Sequence, residues 1–197
     1  MAGLDENLNV WERTKQLVRE AAAGDSHPFA VPALCSSSPD GHPRPRKVVL
    51  RAADEAVTTL RCYTDRRSVK ARHLAAGSEF SYLFWDDESR IQFACGGPSR
   101  WADEAEADRV FNDLPRHGRK AYATRHAPGT PLPGPESDLP AGWDDFSPEQ
   151  TDYARKHFGI LITELRWGDL LQLHRDGNLR QRGSRAGRDW TWEWVTP

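Results

Sequence analysis

Short runs of β-branched, aromatic and aliphatic residues, each closed by turn-forming residues, recur along this chain. "PFAVPALCS", "RKVVLRA", "VTTLRCYT", "FSYLFW" and "RIQFACGG" follow one another in the first half. "FGILITELRW", "DLLQLHRDGNLRQR", with an Asp176-Gly177 hairpin signal, and "DWTWEWVTP" close the second. Runs of this kind predict β-strands. Most links between them are too short for parallel crossovers, so the strands must pair antiparallel. The fold class that follows is α+β, mainly β: a small antiparallel barrel with helices at its rim.

The helices are few. Asn9 and Glu12 form a capping box ahead of an apolar face of Val10, Leu17, Val18 and Ala21, and Gly24 stops that helix. "SVKARHLAAG" predicts a second, closed by Gly77, and "ADEAEADRVFNDL" a third burying Ala107, Phe111 and Leu114. "SPEQTDYARKHF" starts with a capping box at Ser147 and Gln150. Residues 128–148, rich in proline and glycine, read as a surface loop rather than a linker. The expected organisation is one domain, with residues 1–25 giving a helix packed on a barrel of residues 26–197. Trp190, Trp192 and Trp194 alternate, which places them on one face of the last strand.

A net charge of −2 gives no whole-molecule case for nucleic acid. No apolar run approaches the roughly 20 residues that span a bilayer, so no membrane partner is expected. The polar, acidic N-terminus is unlike a signal peptide. Cys35, Cys62 and Cys95 stand far apart and odd in number, which favours a reducing, cytoplasmic location over a disulfide framework. The histidines show no ligand spacing, and no metal is expected.

The chemistry concentrates in "YTDRRSVKAR", where a strand runs into a helix. Thr64, Ser68 and Lys70 at that junction suit an anion, held by hydroxyl donors, an ammonium and the start of the helix. Upstream, "RKVVLR" reads as one strand with Arg46, Val48 and Leu50 on one face and Lys47, Val49 and Arg51 on the other. An arginine at each end of an apolar strand suits a ligand with an anionic end and a flat apolar body. Gln92 lies mid-strand among apolar residues, as a satisfied core amide or as a partner for a ring carbonyl.

"RKVVLR", "YTDRRSVKA", "RIQF…G" and a C-terminal "R…W…P", in this order and spacing, resemble the pyridoxamine 5′-phosphate oxidase family, FMN-binding split barrels, over Ser26 to Pro197. The chain is most similar to the oxidase-like branch, in which arginine (here Arg51) ends the first motif. The resemblance implies FMN as cofactor, with Arg46, Ser68 and Lys70 at its phosphate. Lys47, Val48, Val49, Leu50, Arg51, Tyr63 and Thr64 would line its ribityl chain and ring, and Gln92 would bond the ring. Arg180 matches a family arginine reaching the flavin from the partner subunit of a homodimer, with FMN at the interface. Where the family grips a substrate phosphate, this chain has Val110, Leu114 and Gly118; a family arginine and histidine fall on Asp176 and Asn178. A family tryptophan falls on Leu170, with Trp167 close by. The resemblance thus implies an FMN-dependent oxidoreductase acting on another small molecule, with no catalytic side chain assigned. The alternatives are a true pyridoxamine or pyridoxine phosphate oxidase, and a flavin- or haem-binding protein without turnover.

Overall fold

The chain passes back and forth between two antiparallel sheets, and these crossings shape its clefts. The computed structural model describes residues 9–24 and 26–197, so the expected N-terminal segment before Asn9 lies outside the described residues. The strands are β1 (Ala33–Ser37), β2 (Pro43–Lys47), β3 (Leu50–Ala53), β4 (Thr59–Asp65), β5 (Phe80–Asp86) and β6 (Ile91–Gly97). After them come β7 (Ser99–Trp101), β8 (Phe158–Glu164), β9 (Trp167–Gln172), β10 (Leu179–Ala186) and β11 (Asp189–Val195). A seven-stranded sheet runs β11-β10-β9-β6-β5-β1-β2, and a four-stranded sheet runs β3-β4-β8-β7. This is the mainly β, split-barrel architecture expected, with helices around it.

One expectation needs correction. "RKVVLR" is not a continuous strand: β2 ends at Lys47 in the larger sheet, and β3 begins at Leu50 in the smaller one. The chain bends at Val48 and Val49, where Val48 N–H is bonded to the Pro32 carbonyl. Burial still alternates, with Val48 and Leu50 inside and Lys47 and Arg51 exposed. Side-chain period alone cannot reveal such a change of sheet. A second corner, Gly97-Pro98, lies so close to β8 that a Cβ on Gly97 would sit 2.1 Å from the Glu164 carbonyl oxygen, so only glycine fits.

Helix α1 (Val10–Ala23) is capped by Asn9, whose Oδ1 accepts from Glu12 N–H at 3.1 Å. Its buried face includes Trp11, which meets Phe93, Trp190 and Trp192 with ring centroids 5.8, 5.3 and 4.8 Å away. Trp194 shares their side of β11 but runs past the core and is 57% exposed. Helix α2 (Val69–Ala75) follows β4, and α3 (Glu104–Asp113) and α4 (Arg116–Arg119) follow β7. Ala107 and Phe111 of α3 are buried as expected, whereas Leu114 is only half-buried at the end of the helix.

A second apolar cluster fixes α3 and α4 to the smaller sheet. Phe158, fully buried, is ringed by Tyr63, Phe111 and Tyr122 at centroid distances of 5.2, 5.6 and 5.0 Å. The capping box at Ser147 and Gln150 forms, but Glu149–His157 is 3₁₀ rather than α-helical. The Pro148 carbonyl takes bonds from Thr151 N–H, the Thr151 hydroxyl and Arg119, which holds the first turn in the tighter i, i+3 form.

Candidate functional site

The bend at Val48–Val49, the end of β4 and the start of α2 form one side of a cleft of about 1150 Å³, and α3–α4 forms the other. Pockets for a single ligand run from about 300 to 1,000 Å³, so this one has room for a large ligand. Among the twelve expected site residues, Lys47, Val48, Val49, Leu50, Arg51, Tyr63, Thr64, Ser68 and Lys70 line it.

The junction itself sorts its polar groups into two kinds. Thr64 and Ser68 are 3% and 6% exposed, and neither side-chain oxygen has a hydrogen-bond partner. Ser68 occupies the N-cap position of α2 without capping it. Buried hydroxyls are nearly always bonded, so two orphans on a cleft wall point to a ligand that satisfies them. Lys70 beside them has its pKa lowered, first by burial and then by the Arg46 charge. At seven residues α2 is too short to contribute much of a dipole, so these side chains supply the attraction.

The arginines of the same stretch do structural work. Arg67 grips buried Asp65 through Nε (3.1 Å) and Nη2 (2.7 Å) and holds the Thr124 carbonyl at 2.9 Å. Arg66 lies over Trp101, 5.1 Å from the ring centre, with Nη2 2.7 Å from Glu104, an ion-pair distance without hydrogen-bond alignment. Exposed Arg72 reaches back to the Arg67 carbonyl at 3.5 Å. Together they clamp the strand–helix turn and leave Lys70 as its cation facing the cleft.

Arg46 stands just behind the cleft lining, half-buried on β2, and Nη1 donates to Ser36 Oγ at 2.7 Å. Gln92 and Arg180 lie elsewhere in the chain. Gln92 pairs with Trp85 on one side and Leu171 on the other, and Leu171 pairs with Arg180. All four belong to one cross-strand row on the outer face of the larger sheet, because the alternate residues Ile91 and Phe93 point into the core. Gln92 is therefore not a core amide. Arg180 is held there by Asp169, Nε to Oδ1 at 2.9 Å and Nη2 to Oδ2 at 2.8 Å.

Opposite the hydroxyls, Val110, Leu114 and Gly118 line the cleft together with Asp113, His117, Lys120 and Tyr122. Val110 and Asp113 come from α3 and His117 and Gly118 from α4, with an extended Leu114–Pro115 step between the two helices. The family resemblance placed Val110, Leu114 and Gly118 at this wall, whereas no motif announces Asp113, His117 and Tyr122. Buried Arg119 pins this wall by donating to the Leu114, Asn112 and Pro148 carbonyls and to Asp152. Asp176 and Asn178 sit in the β9–β10 turn, and Leu170 is core. Burial pushes the Cys62 thiol up to about 12 and raises Cys95 too, so neither is a thiolate nucleophile. Among the described residues no three His, Cys, Asp or Glu side chains gather as a metal site. No helix there is long and apolar enough to cross a membrane.

Residues 9–102, which carry β1–β6 and the strand–helix junction, match the family model "Pyridoxamine 5'-phosphate oxidase, FMN-binding domain". The chain is similar to the pyridoxamine 5′-phosphate oxidases. A pyridoxine/pyridoxamine 5′-phosphate oxidase of Anaeromyxobacter dehalogenans is 28% identical over 76% of this chain and 83% of its own length. One of Rhizobium meliloti is 31% identical over 56% of this chain, which spans only 53% of that enzyme. Two solved structures share the whole fold. A pyridoxamine 5′-phosphate oxidase-related, FMN-binding protein of Nostoc punctiforme superposes with a TM-score of 0.70 at 20% identity, covering 97% of this chain and 99% of that one. PhzG of Burkholderia lata, solved with tetrahydrophenazine-1-carboxylic acid, gives 0.71 at 16% identity, over 98% and 95%.

Proposed function

We propose that the cleft holds FMN and that the protein is an FMN-dependent oxidoreductase acting on a small molecule other than a vitamin B6 phosphate. The observation that carries this reading is the pair of buried, partnerless hydroxyls of Thr64 and Ser68 beside Lys70, within the segment matched by an FMN-binding domain. The donor set fits a phosphate: two hydroxyls and an ammonium at the cleft, with a guanidinium just behind. Lys70, Ser68 and Arg46 would hold that group, and the Lys47–Arg51 bend with Tyr63 and Thr64 would hold the ribityl chain and ring. FMN supplies hydride acceptance and donation when bound; the protein supplies orientation and electrostatics.

The opposite wall sets the substrate. Val110, Leu114 and Gly118 offer no hydrogen-bonding side chain to a phosphate, nearby Asp113 repels one, and Lys120 on the same wall is already paired with Asp144 at 3.3 Å. A substrate misplaced by about 1 Å can lose a hundred-fold in rate. The protein, loaded with FMN, is expected to oxidise pyridoxamine 5′-phosphate with kcat/KM below about 10⁴ M⁻¹s⁻¹, the low end for enzymes. Following hydrogen peroxide release, with a known oxidase as control, checks this; efficiency at or above that level would make the protein a true oxidase. Absence of turnover on a broad panel of amines, alcohols and dihydroaromatics would favour a flavin-binding protein without catalysis.

We further propose a homodimer. Leu83, Trp85 and Trp167 are 43%, 36% and 39% exposed, on the same outer sheet face as the Gln92–Arg180 row. Lys47 belongs to both that face and the cleft lining, through the row Lys47–Ala33–Leu83. A second copy laid on this face would bring its own Gln92 and Arg180 toward the cleft mouth and cover apolar surface. Sedimentation at micromolar concentration is expected to show twice the 22.3 kDa chain mass; a flavin-loaded monomer would contradict it. All three cysteines are unpaired, which suits the cytoplasm.

A further inference from the structure

Behind the cleft, Arg46 is held by a short chain of buried polar groups reaching into α2. Its Nη1 lies 2.7 Å from Ser36 Oγ, and Ser36 Oγ lies 2.8 Å from His73 Nδ1. Ser36 and His73 are 2% and 3% exposed, so water does not substitute for either bond. Donor bookkeeping fixes the direction. A guanidinium can only donate, so Ser36 Oγ accepts from Arg46 and its single hydrogen is free for one acceptor. His73 Nδ1 is the neighbour that can take it, which requires a neutral imidazole with its proton on Nε2. If Nδ1 carried a proton, the Ser36 hydroxyl hydrogen would be buried without this acceptor.

We propose that His73, acting through Ser36, is a positioning residue that sets the rotamer of Arg46 toward the cofactor phosphate, and that protonation of His73 loosens this grip. The inference rests on the FMN reading above. β1, β2 and α2 each contribute one member of the relay, so Arg46 is oriented by the same helix that carries Lys70. The groups facing His73 agree with a neutral ring. Arg46 and Arg44 approach from β2 and Arg72 from its own helix, against Asp40 alone from the β1–β2 turn. Burial and these cations hold the histidine below its usual value. A histidine shifted this way favours the fold above its unfolded value, 6.5, and that contribution fades as pH falls through and below it.

The test compares the wild-type chain with His73→Asn, His73→Leu and Ser36→Ala, titrated with FMN and with riboflavin from about pH 5.5 to pH 8. Asparagine presents an oxygen near the Nδ1 position and does not titrate; leucine presents nothing. At the upper end, His73→Leu and Ser36→Ala are expected to weaken FMN about three- to ten-fold, the worth of a hydrogen bond. Riboflavin, which lacks the phosphate, is expected to bind them as it binds the wild type. His73→Asn is expected to bind FMN as tightly as the wild type there, but to lose less affinity on acidification. The second ionisation of a phosphate, at about 6, weakens both proteins alike and cancels in that comparison. Nitrogen-15 NMR of the ligand-free protein is expected to show His73 Nδ1 unprotonated at neutral pH.

A wild type that binds FMN with the same pH profile as His73→Asn would overturn the relay and leave the FMN reading standing. So would a protonated Nδ1, or equal losses for FMN and riboflavin in His73→Leu, which mark a purely structural role. A wild type that binds no FMN at any pH would overturn both.

Discussion

Lys70→Ala is expected to weaken FMN binding by about ten- to a hundred-fold, the worth of a hydrogen bond to a charged group, and to leave the ligand-free protein at least as stable as before. The two halves of this result have one cause. Lys70 is half-buried, close enough to Arg46 to feel its charge, and its pKa is pushed down by burial first and that arginine second. A lysine whose folded value is lowered opposes folding at pH below its unfolded value, 10.5, so removing the charge relieves the fold at neutral pH. What the lysine does for the molecule must then lie in what it binds. Titration with FMN and thermal unfolding without it measure the two halves separately. A clear loss of stability with unchanged affinity would make Lys70 a structural residue and remove the main cation from the cradle.

Phe158→Ala is expected to cost about 3–5 kcal/mol of stability, the usual range for deleting a fully buried aromatic ring. In a chain of this length that lowers the melting temperature by roughly 6–20 °C. The cavity would open among Tyr63, Phe111 and Tyr122, whose rings now surround Phe158. Tyr63 and Tyr122 line the cleft and Phe111 anchors α3, so FMN affinity is expected to fall as well, although Phe158 does not itself line the cleft. Denaturant unfolding with and without FMN checks both effects. A loss below about 1 kcal/mol would mean that the cluster collapses around the gap or carries little of the fold.

Much of this was legible in the chain because strand period and turn chemistry are local. The alternation in "VTTLRCYT" and "FSYLFW" places the strands within a residue or two, and Asn9 caps α1 as its sequence requires. The cradle was legible for a similar reason, since Thr64, Ser68 and Lys70 lie within one strand–helix turn. What was not legible depends on partners distant in sequence. The split of "RKVVLR" between two sheets is set by what β2 and β3 pair with, not by their own residues. Arg66 and Arg67 look like anion ligands until Trp101, Glu104 and Thr124 are placed beside them. Arg180 is likewise engaged by Asp169 from the neighbouring strand, which no spacing rule announces. The Ser36–His73 bond joins residues separated by 37 positions.

Flavin binding by the unmodified protein is the most direct test of the whole account. Refolded or reconstituted with excess FMN and dialysed to equilibrium, the chain is expected to retain one FMN per chain, seen in the flavin absorbance, and to unfold at a higher temperature with FMN than without. A ligand present at about a hundred times its Kd adds roughly 2.7 kcal/mol to stability, a shift well within reach of thermal unfolding. Folded protein that retains no flavin and shows no such shift would contradict the assignment of the Thr64–Ser68–Lys70 cradle to FMN.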